Sequence, residues 1–160
     1  MSDLNPYAKF LDGRSLEQIL GSTASAISVL LQAMGPQKAA ASPAPSKWSP
    51  AQIVAHLADC EIAFGFRLRQ TLAEEHHVLQ PFDQDQWAVQ YGATKAADAL
   101  AAFTALRHWN LLLIGQALPA NAGKPVTHPE RGTMTFAAIV ETMAGHDLNH
   151  LAQLQHIAAS

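Results

Sequence analysis

The stretch FAAIVETMAGHDLNHLAQLQHIA, residues 136–158, is where the fold first becomes readable. On an α-helix each residue turns about 100° past the last, so side chains three and four apart share a face. Phe136, Ile139, Val140, Met143, Leu151, Leu154 and Ile157 fall on one arc, the pattern of an amphipathic helix facing a core. His146 and His150 lie on one flank of that arc, one turn apart, and Asp147 lies inside it. His156 and Asn149 fall on the opposite side, toward water.

Breakers divide the rest of the chain into comparable pieces. A first helix is expected over residues 15–34, ending at Gly35-Pro36, with an Ala/Ser/Pro loop over residues 39–45. A second begins at Ser49-Pro50, with Ser as N-cap and Pro at the first helical position, and continues to about residue 75. HHVLQPFDQDQWAVQYGAT, residues 76–94, reads as a long connection with room for one short helix. A third helix runs from about Thr94 to Leu118, before Pro119. Residues 121–132 form a loop or short hairpin, after which Thr133 or Thr135 opens the fourth helix. Four amphipathic helices predict an all-α four-helix bundle occupying residues 1–160 as a single domain. With a long connection between helices 2 and 3, the pattern is compatible with up-down-up-down order.

Composition narrows the function. At 160 residues the chain can bury one sizeable core, and 49% of it is hydrophobic. A formal charge of −3 provides no basic field for nucleic acid or anionic lipid. No apolar run reads as a membrane span, and MSDLNPYAKF lacks the pattern of a signal peptide. Cys60 is the single cysteine, which excludes an internal disulfide and a thiolate cluster. The expectation is a cytoplasmic, soluble helical domain acting on a small molecule, with a homodimer as the assembly admitted.

Polar residues point the wrong way for a bundle built only for stability. On the second helix Ile53, Leu57, Phe64 and Leu68 mark the core side, with His56, Cys60 and Arg67 in or beside it. Asp59 lies further round and Glu61 at the other edge. On the third helix Leu100, Phe103, Leu106, Leu111 and Ile114 set the apolar face, which Arg107 and Asn110 share. Burying such groups unsatisfied costs several kcal/mol, so they need a common polar pocket. His146 and His150, four apart, can grip one metal ion, and an inward His56 completes a triad. The plainer alternative is hydrogen-bonded core histidines. Asp147 either orients an imidazole or forms a buried ion pair with Arg107 or Arg67. Trp48, Trp87 and Trp109 read as core or pocket-wall residues, and Cys60 as a small core residue before a nucleophile.

Two hydrolase motifs are absent. HDLNH has Asp where the zincin HExxH motif has Glu, and no G-x-S-x-G elbow exists. His128 and the His76-His77 pair lie in loops without a partner spacing.

WSPAQIVAHLADCE (residues 48–61), THPERGTMTF (127–136) and GHDLNHLAQL (145–154) together resemble the DinB/YfiT-like superfamily, across nearly the whole chain. The resemblance implies a four-helix bundle and a divalent metal held by three histidines, mapping to His56, His146 and His150. It also implies a group that includes S-transferases using mycothiol or bacillithiol and a mycothiol-dependent maleylpyruvate isomerase. The expected function is a metal-dependent transferase acting with a low-molecular-weight thiol. A metal-dependent hydrolase and a non-enzymatic metal- or ligand-binding bundle are the alternatives. Zinc or nickel are the first choices of ion, with iron also admitted. Asp59, Glu61 and Asp147 are the candidate catalytic bases, and Arg67 or Arg107 the candidate receptor of an anionic substrate group. The pocket is expected to open toward the long connection and the THPERG loop.

Overall fold

Residues 4–75 and 77–160 are described by a computed structural model of the chain; His76 of the His76-His77 pair falls outside them. Local signals place the helix starts. Ser15 opens α1 (Leu16–Ala40) and Ser49 opens α2 (Pro50–Ala73), each through a reciprocal capping box with the glutamine three residues on. Thr135 caps α5 (Phe136–Ala159) by accepting from the Ala138 N–H at 3.2 Å. Between α2 and α4 (Ala96–Asn121) the connection holds one short helix, α3 (Gln84–Ala88), followed by a 3-10 turn. The segment after α4 is a hairpin of β1 (Pro125–His128) and β2 (Gly132–Thr135), with Val126 opposite Met134 and both buried.

Two helices run past their expected ends. Gly35 leaves helical geometry at φ 71°, so α1 kinks there and gains one more turn beyond Pro36. In α4, Pro119 is absorbed near the end instead of stopping the helix at Leu118.

The helices do not alternate up-down-up-down. Glu61 meets Arg107 while Leu72 meets Lys124, so α2 and α4 run parallel. Thr23 meets Asp147 while Lys38 meets the Ala158 carbonyl, so α1 and α5 are also parallel. The His56 ring meets His150 while Phe64, two turns on, meets His146, which makes α2 and α5 antiparallel. The order is therefore up-down-down-up. Two parallel neighbours need a connection that travels back along the bundle, and residues 74–95 supply it. On its way this segment pairs with the hairpin, Leu79 N–H donating to the Thr127 carbonyl at 2.8 Å. It then reaches the far side of α2, where the Tyr91 hydroxyl donates to Asp59 Oδ2 at 2.6 Å.

The core is split. One apolar cluster, around Leu20, Phe64, Leu68, Phe136 and Met143, lies toward the hairpin. A second, around Ile27, Val54, Leu57, Phe103 and Leu154, lies toward the other end. Between them runs a layer of buried polar residues, Thr23, His56, Glu61, Arg107, Asn110, His146, Asp147 and His150. Helix α1 is long and apolar enough to cross a membrane by length and composition, a span the composition had not suggested. In this fold its Ile19, Leu20, Thr23 and Ile27 are buried in the bundle. Trp109 was expected inside but points outward from α4, 62% exposed beneath Arg69. Asn149 is half-buried, whereas His156 faces water as its place on the helix requires.

Candidate metal centre

Three side chains of the polar layer converge. His146 and His150 project from the same face of α5 one turn apart, with their Nε2 atoms at 3.1 Å. His56 arrives from antiparallel α2 and places its Nε2 3.1 Å from that of His146. The three rings each offer a nitrogen within 4.8 Å of the others, and all three residues are buried.

Hydrogen bonding alone cannot satisfy this arrangement. A neutral imidazole carries one N–H and one lone pair. His150 Nδ1 faces Gln153 Oε1 at 3.0 Å and donates to it, which leaves a lone pair on Nε2. His146 Nε2 then donates to one neighbour or accepts from one; it cannot do both. One of the two 3.1 Å contacts is left without a proton whatever the tautomers. A cation at the meeting point satisfies every lone pair together, so the donor set fits a divalent ion. Electrostatics agrees with the donor role. Burial, then the neighbouring His150, holds His56 down to about 4. Burial and the other two rings push His146 well below its ordinary value, and burial lowers His150. Neutral imidazoles are the form that binds metal.

The surroundings hold the rings in place. Tyr7 packs edge-on to His146 at 5.1 Å, and Trp48 lies against His56 at 4.9 Å. Cys60, one turn beyond His56, puts Sγ 3.5 Å from His56 Nε2 and 4.0 Å from His146 Nε2. Burial, and then the acidic neighbours, raise its thiol pKa, so it sits there as a neutral thiol.

Of the two roles expected for Asp147, the buried ion pair with Arg107 is the one it takes, and Glu61 and Asp59 also find partners away from the rings. Asp147 receives Arg107 through two hydrogen bonds, 2.6 and 3.0 Å, and accepts from the Thr23 hydroxyl at 2.7 Å. Glu61 accepts from Arg107 at 2.7 Å and from Asn110 at 3.0 Å. Burial opposes the charge of Arg107, but the two carboxylates outweigh it and raise its pKa. Asp59 holds Tyr91. Among the described residues none of the three hydrogen-bonds a ring of the triad; the imidazole-orienting role falls to Gln153. Arg107 is thereby committed to ion pairs, whereas among the described residues Arg67 donates to the Gln80 carbonyl alone, at 3.0 Å.

Tyr7, Thr23 and Gln153 escaped the sequence reading. Gln153 carried a usable signal, three residues after His150 on the same helix, but Tyr7 reaches the site only through tertiary packing. Two cavities lie in the expected directions, the larger touching the long connection at Asp85 and a smaller one at the THPERG hairpin. The larger, of about 670 Å³, opens at the end of the bundle away from the THPERG hairpin, lined by the α1–α2 loop, Asp85 and His156. Its walls include Trp48 and Gln153, the residues that touch His56 and His150. The level of the histidines was legible, but the path of the connection was not.

Known proteins give the arrangement a context. The solved structure of YfiT from Bacillus subtilis, described as a probable metal-dependent hydrolase with an unusual four-helix bundle topology, superposes with a TM-score of 0.82. That match covers 93% of this chain and 90% of YfiT at 18% sequence identity, a likeness of fold. Two proteins of Oceanobacillus iheyensis named "putative metal-dependent hydrolase" are 28% identical over 108 residues and 25% identical over 109 residues. These matches take in 67% and 68% of this chain and 63% of each relative, so they span less than two thirds of the relatives' length. The sequence profile of the DinB superfamily matches residues 20–154, a span holding all three histidines, the whole of α2 and α4 and most of α1 and α5, and the chain belongs to that superfamily.

Proposed function

We propose that this protein is a metal-dependent enzyme in which His56, His146 and His150 hold one divalent ion, and that it transfers a low-molecular-weight thiol to an electrophilic carbon. Convergence of three buried, neutral Nε2 atoms carries the reading, because three protein ligands leave a coordination position open. When bound, such an ion lowers the pKa of a water or thiol so that a nucleophile is available near neutral pH.

The chain's own carboxylates are committed elsewhere. Glu61 and Asp147 are engaged by Arg107, and Asp59 by Tyr91. The ion itself supplies the deprotonation, outright for a thiol and by a lowered pKa for a water, and the resemblance to thiol-dependent transferases puts thiol first. Gln153 and Trp48 fix the rings of His150 and His56 and also line the cavity of about 670 Å³, which offers room for the electrophile. Tyr7 and Phe64 pack edge-on against the His146 ring.

Hydrolysis is the second reading, favoured by the names of the Oceanobacillus relatives. The two separate in one assay. Metal-loaded protein is mixed with chlorodinitrobenzene or an activated ester, with and without a small thiol. Thiol-dependent consumption of the aryl halide that is lost in His146→Ala supports transfer. Thiol-independent ester cleavage with no reaction of the halide overturns it in favour of hydrolysis.

A further inference from the structure

Beyond the triad, two arginines and a histidine share a second, smaller cavity. Arg67 of α2, Arg131 of the hairpin turn and His128 of β1 line it, with Phe64, Met134 and Thr142 among the other walls. Its volume is about 20 Å³, space for one small polar group. Arg67 is held for this position: its guanidinium lies 6.0 Å from the Phe64 ring and 5.7 Å from Phe82, and its NH2 group donates to the Gln80 carbonyl. Among the described residues neither Arg67 nor Arg131 has an ion-pair partner. His128 Nδ1 accepts from the Glu130 N–H at 3.2 Å, while the Glu130 side chain itself is exposed. Two half-buried guanidinium groups facing one small space, without a carboxylate between them, mutually repel. That arrangement is relieved by an anion.

The cavity and the metal centre share a wall. Phe64 forms one of its walls and also packs against His146, ring centroids 6.2 Å apart, and Thr142 stands one turn before His146 on α5. We propose that Arg67, Arg131 and His128 form a carboxylate-binding subsite, and that the thiol substrate carries a carboxylate several bonds from its sulfur. A planar carboxylate suits paired guanidinium donors, and the narrow space takes an end group of an extended molecule. The cavity of about 670 Å³ beside Trp48 and Gln153 then remains for the second reactant. This inference rests on the thiol-transfer reading for its sulfur end only.

The test compares mercaptohexanoate with mercaptohexanol, which share a thiol and differ at the far end, on cobalt(II)-loaded protein. Thiolate-to-cobalt charge transfer reports binding. The acid is expected to bind at least about tenfold more tightly, the value of one charge-assisted hydrogen bond. That preference should vanish in Arg67→Gln/Arg131→Gln with cobalt content unchanged. Equal affinities, or a preference that survives the double variant, overturn the subsite. Arginine Nε–H resonances titrated with glutarate supply a reading free of thiol chemistry. If neither thiol produces the band, thiol transfer fails, yet saturable shifts of Arg67 and Arg131 still support the subsite. Absence of any glutarate response removes it. Arg131→Gln alone, on the hairpin turn, should weaken the glutarate response while leaving the circular dichroism spectrum intact.

Discussion

His56 Nε2 and His146 Nε2 stand 3.1 Å apart across the α2–α5 interface, brought to one level by antiparallel packing. Both rings are buried and both are held neutral, which has a consequence for stability. An unfolded histidine takes a proton near 6.5, whereas His56 in the folded chain resists protonation until about 4, through burial and then the nearby His150. Between those values the unfolded chain binds more protons, so the metal-free fold loses stability as pH falls through that window. His56 alone contributes on the order of 3 kcal/mol of this loss. Urea denaturation across the window should show the decline, and a bound metal should shift it to lower pH. A stability profile that stays flat for the metal-free protein contradicts the packing of the triad.

The ion-pair layer should behave as an all-or-none unit. Arg107→Met leaves Asp147 and Glu61 buried without their cation and is expected to cost about 3–5 kcal/mol. Replacing all three by apolar residues of similar volume should recover most of that loss, because no unpaired group then remains. The measurement is the urea midpoint of the two variants. A single variant as stable as the parent contradicts the assignment.

How much of this was legible follows from what periodicity carries. The Ser49 cap, the Thr135 opening (one of the two offered) and the inward faces of His146, His150 and Arg107 depend on local geometry, and they stand where local signals and the helical wheel put them. The same wheel says nothing of which helix lies opposite. The up-down-down-up order and the pairing of Glu61 with Arg107 were therefore not readable, whereas the Asp147–Arg107 ion pair and the outward turn of Trp109 lay within reach of the wheel.

Gln153 should matter to metal affinity and little to folding. It holds Nδ1 of His150, and removing such a partner typically weakens metal binding about 10- to 100-fold. Gln153→Leu should show this loss in a competitive chelator titration, while exposed His156→Ala should match the parent. Equal affinities for Gln153→Leu and the parent would mean the ring needs no anchor.

Close packing of the N-terminal segment on α5 gives another test. A Cβ added at Gly145 meets the Tyr7 carbonyl oxygen at 2.6 Å and Tyr7 Cβ at 2.7 Å. Gly145→Ala should displace the segment, costing about 1–3 kcal/mol of packing against about 1 kcal/mol of improved helix propensity. Limited proteolysis should then cut near Tyr7 faster than in the parent. Gly115→Ala, where a Cβ meets open space, should stabilise by about 0.5–1 kcal/mol and leave cleavage unchanged. Unchanged cleavage in Gly145→Ala would show that Tyr7 does not lie on this helix.

The central claim is that His56, His146 and His150 hold one ion. It is tested most directly by anomalous diffraction at the metal absorption edge, on crystals grown with zinc or nickel. The account predicts one peak about 2.0–2.2 Å from the three Nε2 atoms, absent in crystals of His146→Ala. Crystals that take up metal elsewhere, with the three rings of the parent protein still in mutual contact and no peak between them, would contradict it.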